Sequence, residues 1–268
     1  MIRLLRYLQR KLRPELNGRP TPMRYLMMSD VVGILYGLPL VIFGLFWLTA
    51  VSDWSVLTRH GLWLGIILLA IVIFSRLRFY MMHALRDGHM IGSDGDFVVV
   101  ILWAAMLIFG PTIIWLFLLW VLVELGLSLG RAINREMRWN SLRSAALNAA
   151  SLLVPSLLSL LIYENLGGTY PIAGLTLNAL APALMGVLGF ALIYFLTWLP
   201  FILYVVWVQD SKFGYENTSG LFWFTVLTME LPFISLSFGV LASGIYVEHG
   251  PWILALYFIG LLLLALLA

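Results

Sequence analysis

FVVVILWAAMLIFGPTIIWLFLLWVLV, residues 97–123, carries no charged side chain and has Gly110-Pro111 near its middle. As one helix this run would be about 40 Å long and would count as a single membrane span. The other reading is a hairpin of two shorter helices that turns at Gly110 and Pro111. Glycine adopts backbone angles closed to other residues, and proline has no N–H to continue the helical ladder. The two readings place everything downstream on opposite sides of a membrane.

Composition puts the chain in that setting. Of its 268 residues 62% are hydrophobic and only 11% are charged, against about 25% charged in an ordinary soluble domain. There is too little polar surface to cover a water-soluble globule. A soluble enzyme, a disordered chain and a nucleic-acid binder are excluded as first readings. There are no cysteines, which removes disulfides, thiolate metal sites and cysteine nucleophiles.

The few charges decide between span and hairpin. Seven of the 16 Lys and Arg precede residue 30, namely Arg3, Arg6, Arg10, Lys11, Arg13, Arg19 and Arg24, opposed only by Glu15 and Asp30. Such a cluster ahead of a first span holds that end in the cytoplasm, and the same residues can touch anionic headgroups. With a hairpin at Gly110-Pro111, every Lys and Arg except Arg59 falls on the cytoplasmic side. With one long span, Arg131, Arg135, Arg138, Arg143 and Lys212 join Arg59 outside. The positive-inside rule therefore selects the hairpin. Its legs, 97–109 and 111–129, are about 20 and 28 Å long. The first is short for a crossing and is expected to be re-entrant, with its turn buried in protein or facing water. Arg131, Arg135, Arg138 and Arg143 join Arg3, Arg6, Arg10, Lys11 and Arg13 as expected topology and headgroup contacts.

The expected architecture is an all-α integral membrane protein. It has about six full spans plus the Gly-Pro-broken hairpin, about eight transmembrane or half-membrane helices in all. Residues 1–30 form a basic cytoplasmic segment and 31–268 a single polytopic domain. The spans are 31–50, 61–79, the hairpin, 144–163, 181–208, 232–247 and 251–268. The stretch 165–209 is uncharged throughout and admits one crossing or two. Both termini are expected in the cytoplasm. The chain ends on LLLLALLA with no closing charge, which reads as a cut ahead of a further cytoplasmic domain.

Three polar residues are candidates for a cluster in the cytoplasmic leaflet: Asp96, Asn148 and Glu230. Asp96 directly precedes an apolar helix and suits its N-cap. Asn148 lies about a turn into a span, where its amide needs partners, and interhelical glue is the bland reading. Glu230 precedes Leu231-Pro232 at a helix start. Glu124, inside the second hairpin leg, is a further ionisable residue at membrane depth. Asp87, His89, Asp94 and Asp96 superficially resemble a metal loop. They lack the spacing and closing Glu of a hard-cation site, so no metal and no cofactor is expected. No nucleophile-base pattern is present, so the chain is not expected to be an enzyme.

Three stretches resemble the amino-terminal multi-span region of bacterial signalling proteins, of the kind that precedes GAF, HD-GYP, GGDEF or histidine-kinase domains. They are SDGDFVVVILWAAMLIFGP (93–111), RSAALNAASLL (143–153) with the Leu-Gly-Gly loop at 166–168, and MELPFISLSFGVLASGIYVEHG (229–250). The resemblance covers residues 93–268. It implies a non-catalytic sensory or anchor module in a bacterial inner membrane. The implied partners are the lipid bilayer, a downstream cytoplasmic signalling domain and, as a candidate, a second copy paired through the membrane domain. No nucleic-acid partner is implied. The alternative is a small-molecule transport or substrate-binding subunit, since transporters use broken helices at midplane sites.

Overall fold

The computed structural model describes residues 2–18, 27–76, 78–84, 90–96, 98–213 and 236–267. Helix α1 (Ile2–Leu12) and a 3-10 turn (Pro14–Gly18) precede α2 (Ser29–Val51), the short α3 (Ser55–Arg59) and α4 (Gly61–Phe74). Strands β1 (Arg78–Ala84) and β2 (Met90–Asp96) follow, then α5 (Val98–Phe109), α6 (Ile114–Arg131), α7 (Arg135–Asn165) and α8 (Leu177–Phe213). A helix over 236–249, here α9, and α10 (Pro251–Leu267) complete the described chain.

Among the described residues four helical stretches are long and apolar enough to cross a membrane: Ser29–Val51, Pro111–Arg131, Arg135–Asn165 and Leu177–Tyr204. The apolar stretches Gly61–Phe74, Val98–Phe109 and Pro251–Gly260 are shorter. The expected span 61–79 stops early. Its helix ends at Phe74, Arg76 closes the apolar run, and residues 78–84 pair with 90–96 as an antiparallel hairpin, Arg78 opposite Asp96. Residues 78–84 and 90–96 thus form a small β-ribbon in an otherwise helical chain. Aromatic Phe79 and Tyr80 suit a strand better than a helix end. Residues 165–209 hold one continuous helix after a loop at 166–176, with Pro182 and Pro200 inside it.

The break at Gly110 is in place. Gly110 has φ 77° and ψ −169°, a region essentially open to glycine alone. Pro111 then opens a 3-10 turn, Pro111–Ile113, that leads into α6. Helix α5 has twelve residues, about 18 Å of rise, too short for a hydrocarbon core of about 30 Å. Val98 and every residue from Val100 to Ile108 are buried, as a helix apolar on all faces requires. Its end is closed by other parts of the chain. Gly110 N–H donates to the Met106 carbonyl (2.8 Å), and Ile172 N–H, from the 166–176 loop, donates to the Leu107 carbonyl (2.9 Å). Asp53 N–H donates to Thr112 Oγ1 (2.9 Å), and Trp115 Nε1 donates to Ser52 Oγ (2.9 Å). The Met106 and Leu107 carbonyls at the break therefore have partners, as an apolar surrounding demands.

Helices α2 and α7 are parallel. Gly33 lies against Arg143 and Leu147, Gly37 against Ala146, and Gly44 against Leu153. The glycines let the two backbones approach: a Cβ at Gly37 would stand 2.9 Å from the Ala146 carbonyl oxygen. This is the small-residue packing used between helices in lipid. Helix α8 runs back along the pair, with Gly186 beside Ser159 and Tyr36 Oη donating to the Thr197 carbonyl (2.7 Å). Parallel α2 and α7 need an odd number of passes between them. Returning α4 makes one; α5 and α6 together must then reverse the chain twice more, as a hairpin does. Trp103, fully buried at the centre of α5, packs on Phe190 of α8 with ring centroids 6.0 Å apart.

Candidate functional site

The most concentrated polar chemistry among the described residues lies where α2 and α7 begin. Helix α1 ends at Leu12, and Pro14 starts the 3-10 turn that folds the N-terminal segment back. Leu16, Met27, Met28 and Val31 form a small separate core, against which Leu8, Leu12 and Trp139 pack. Arg13 is carried into this core and is only 1% exposed.

Its guanidinium has three polar partners. Nη1 donates to Asp30 Oδ2 (2.9 Å) and to the Met27 carbonyl (3.1 Å), Nε donates to Glu15 Oε1 (2.9 Å), and the group lies 5.7 Å from the Trp139 ring centroid. The second oxygen of Asp30 meets Arg143 Nη1 at 2.8 Å. Arg143 also reaches Asn140 Oδ1. Glu15 Oε2 lies 3.5 Å from Arg135 Nη1, and Arg135 Nη2 donates to the Leu12 carbonyl (3.1 Å). One carboxylate, Asp30, thus joins three segments: the N-terminal fold, the head of α2 and the first turns of α7. Taking an ion out of water costs several kcal/mol, and only close pairing with further hydrogen bonds offsets it. Both are present here.

Three guanidinium groups meet two carboxylates in this node, so it keeps an excess positive charge. Burial pushes Glu15 upward, but its own backbone hydrogen bond and the Arg13 and Arg135 guanidinium groups outweigh that and hold its carboxyl below the usual range. Beside the node is an open cleft of about 460 Å³ lined by Ile133, Asn134, Arg135, Arg138, Trp139 and Leu142. The arrangement can hold an anion and can fix helices relative to each other. Among the described residues no group of three or more His, Asp or Glu is placed to hold a metal ion.

Sequence reasoning assigned these residues differently. Arg13, expected at the headgroups, is buried, because Asp30 and the Met27 carbonyl offer it closer partners than lipid does. Arg143, on the same expectation, is turned toward Asp30 and is 27% exposed. Arg10, Lys11, Arg131, Arg135 and Arg138 remain exposed, and the side chains of Arg3 and Arg6 lie outside the described part. In the sequence Asp30 is simply a charge before an apolar run. A lone acid at the threshold of an apolar run, behind seven basic residues, was the available signal.

Of the expected cluster of Asp96, Asn148 and Glu230, only the Asn148 side chain is among the described residues. Asp96 is the last residue of β2, and its side chain, like Phe97 after it, lies outside the described part. Asn148 is exposed on α7, between buried Leu147 and Ala149. Glu230 is outside the described residues. Glu124 has a partner: Arg76 Nη2 donates to its Oε1 at 2.6 Å. At the opposite end of the bundle, Glu248 Oε1 accepts from Leu175 N–H (2.6 Å), and His60 packs on Phe109.

Comparison of the chain with family models, with curated proteins and with solved structures finds no match.

Proposed function

We propose that this chain is the membrane-embedded sensory or anchor module of a bacterial signal-transduction protein, not catalytic by itself. It would sit in the inner membrane with both ends in the cytoplasm. The observation that carries the reading is Asp30, shared by Arg13 and Arg143. A shift of the parallel α2–α7 pair would move the basic N-terminal segment with it, because one buried carboxylate holds all three. The external segments, 52–60 and 166–176, are short, which favours a lipid-borne or intramembrane cue over a large external ligand. A partner that completes the pathway would be a cytoplasmic signalling domain, and a second copy could pair through the membrane domain.

The second reading, a transport or substrate-binding subunit, draws on α5. A buried half-helix broken at Gly110 is the type of element around which transporters build midplane sites. Deletion of the gene in its own cell, complemented with the wild type or with Asp30→Asn, separates the two. The signalling reading expects Asp30→Asn to alter second-messenger levels or the phosphoprotein pattern while solute uptake stays at the wild-type rate. Changed uptake with unchanged signalling would overturn it in favour of transport.

A further inference from the structure

The cleft at the start of α7 has a chemistry of its own. Its walls alternate between guanidinium and apolar groups. Arg138 is exposed and makes no ion pair among the described residues. Arg135 is 60% exposed and keeps donor capacity beyond its 3.5 Å contact with Glu15. Next to them Ile133 is 91% exposed and Leu142 38%. Trp139, backed by the Arg13 guanidinium, forms the inner wall. In water an isoleucine left this open between arginines gains nothing. At the boundary between headgroups and acyl chains each wall has a partner, since guanidinium binds phosphate oxygens in a fork and apolar side chains meet the chain tops.

The position agrees. Asp30, at the head of α2, is in contact with Arg143, two turns along α7 from Arg135, so the cleft starts beside the end of a spanning helix and reaches about 11 Å beyond it. Arg131, Arg10 and Lys11 are also exposed at this end, against Glu136 and the already paired Glu15. The local balance is positive, and basic pockets beside spanning helices on the cytoplasmic side are suited to anionic headgroups.

We propose that this cleft binds one anionic phospholipid, its phosphodiester between Arg135 and Arg138 and its acyl chains leaving past Ile133 and Leu142. The proposal rests on the membrane placement of the chain but not on any signalling role.

Native mass spectrometry of the full chain, purified in mild detergent and offered phosphatidylglycerol or phosphatidylcholine, tests it. One phosphatidylglycerol per chain should be retained in preference to phosphatidylcholine. Arg138→Gln should weaken retention about fivefold, the scale of one basic residue at a membrane surface. Arg131→Gln removes the same charge outside the cleft and should leave retention within about twofold on the same scale. Ile133→Ser should weaken retention with no change in charge. Equal loss in Arg131→Gln and Arg138→Gln, or equal retention of the two lipids, would overturn the site. Displacement of the lipid by millimolar inorganic phosphate, with Ile133→Ser silent, would show a free-phosphate site instead and overturn the lipid. Arg138→Gln should unfold at the wild-type temperature, because the side chain is exposed; a variant that unfolds early is replaced by Arg138→Lys, which keeps charge but loses the fork and should still weaken retention. Because binding is read on the isolated chain, its failure is separate from failure of the signalling assay.

Discussion

Asp30 is 6% exposed and accepts from two arginines that are more than a hundred residues apart in sequence. Removing it leaves Arg13 buried with one of its two carboxylate partners gone. Asp30→Ala should therefore destabilise the protein by about 3–5 kcal/mol, the usual cost of breaking a buried pair from one side. Thermal unfolding in detergent micelles would show this, with Arg138→Gln as the near-silent control. Glu15 adds a pH dependence whose sign follows from its depressed carboxyl. Its contribution is complete above the unfolded value of 4.5 and is lost as pH falls through the lower folded value. Acidification from pH 6 to pH 3 should release the N-terminal segment, read as faster proteolysis near Arg10 and Lys11 and a change in Trp139 fluorescence. Glu15→Gln should flatten that profile. At this scale the sequence displayed the participants but not their pairing. Arg13 is one of seven neighbouring basic residues, and nothing local marks it as the one that folds inward.

At the scale of elements, the glycine face of α2 determines how closely it meets α7. A valine at Gly37 would press on the Ala146 backbone, which cannot rotate away, whereas Gly65 of α4 faces open space. Gly37→Val should cost about 1–3 kcal/mol, as overpacking does, and Gly65→Val much less; unfolding midpoints of the two variants would separate them. The hairpin break was legible in advance because Gly110-Pro111 acts through its own backbone, whatever surrounds it. The β-ribbon was not. Residues 78 and 79 extend an expected span, residues 87–96 carry three glycines and mixed charges, and the pairing of the two stretches is a non-local property. The orientation of Asn148 was equally hidden. Helix α7 is apolar around most of its circumference, so residue periodicity marks no inward face.

For the whole molecule, the parallel packing of α2 and α7 and the contacts of Arg135 and Arg143 with the N-terminal fold place those arginines at the end occupied by Glu15 and Asp30. Reporter fusions in the intact membrane translate this into sides: residue 137 should report cytoplasmic and residue 58 external. An external signal at 137 would contradict the odd number of passes between the parallel α2 and α7. The positive-inside count and the helix packing are independent arguments. One concerns charge translocation during insertion and the other the contacts of the folded chain, and they agree on the hairpin.

The sequence by itself determined the class of protein, the helical character of its apolar runs and the break at Gly110. These depend on transfer of side chains from water and on local backbone chemistry, both of which act residue by residue. Only the tertiary structure decided that Arg13 and Arg143 share Asp30, that α5 is buried along its length, and that Asn148 points outward. When nearly every face of every helix is apolar, hydrophobicity no longer says which face turns in. Shape at the glycine contacts and the need to satisfy a few buried charges make that choice instead.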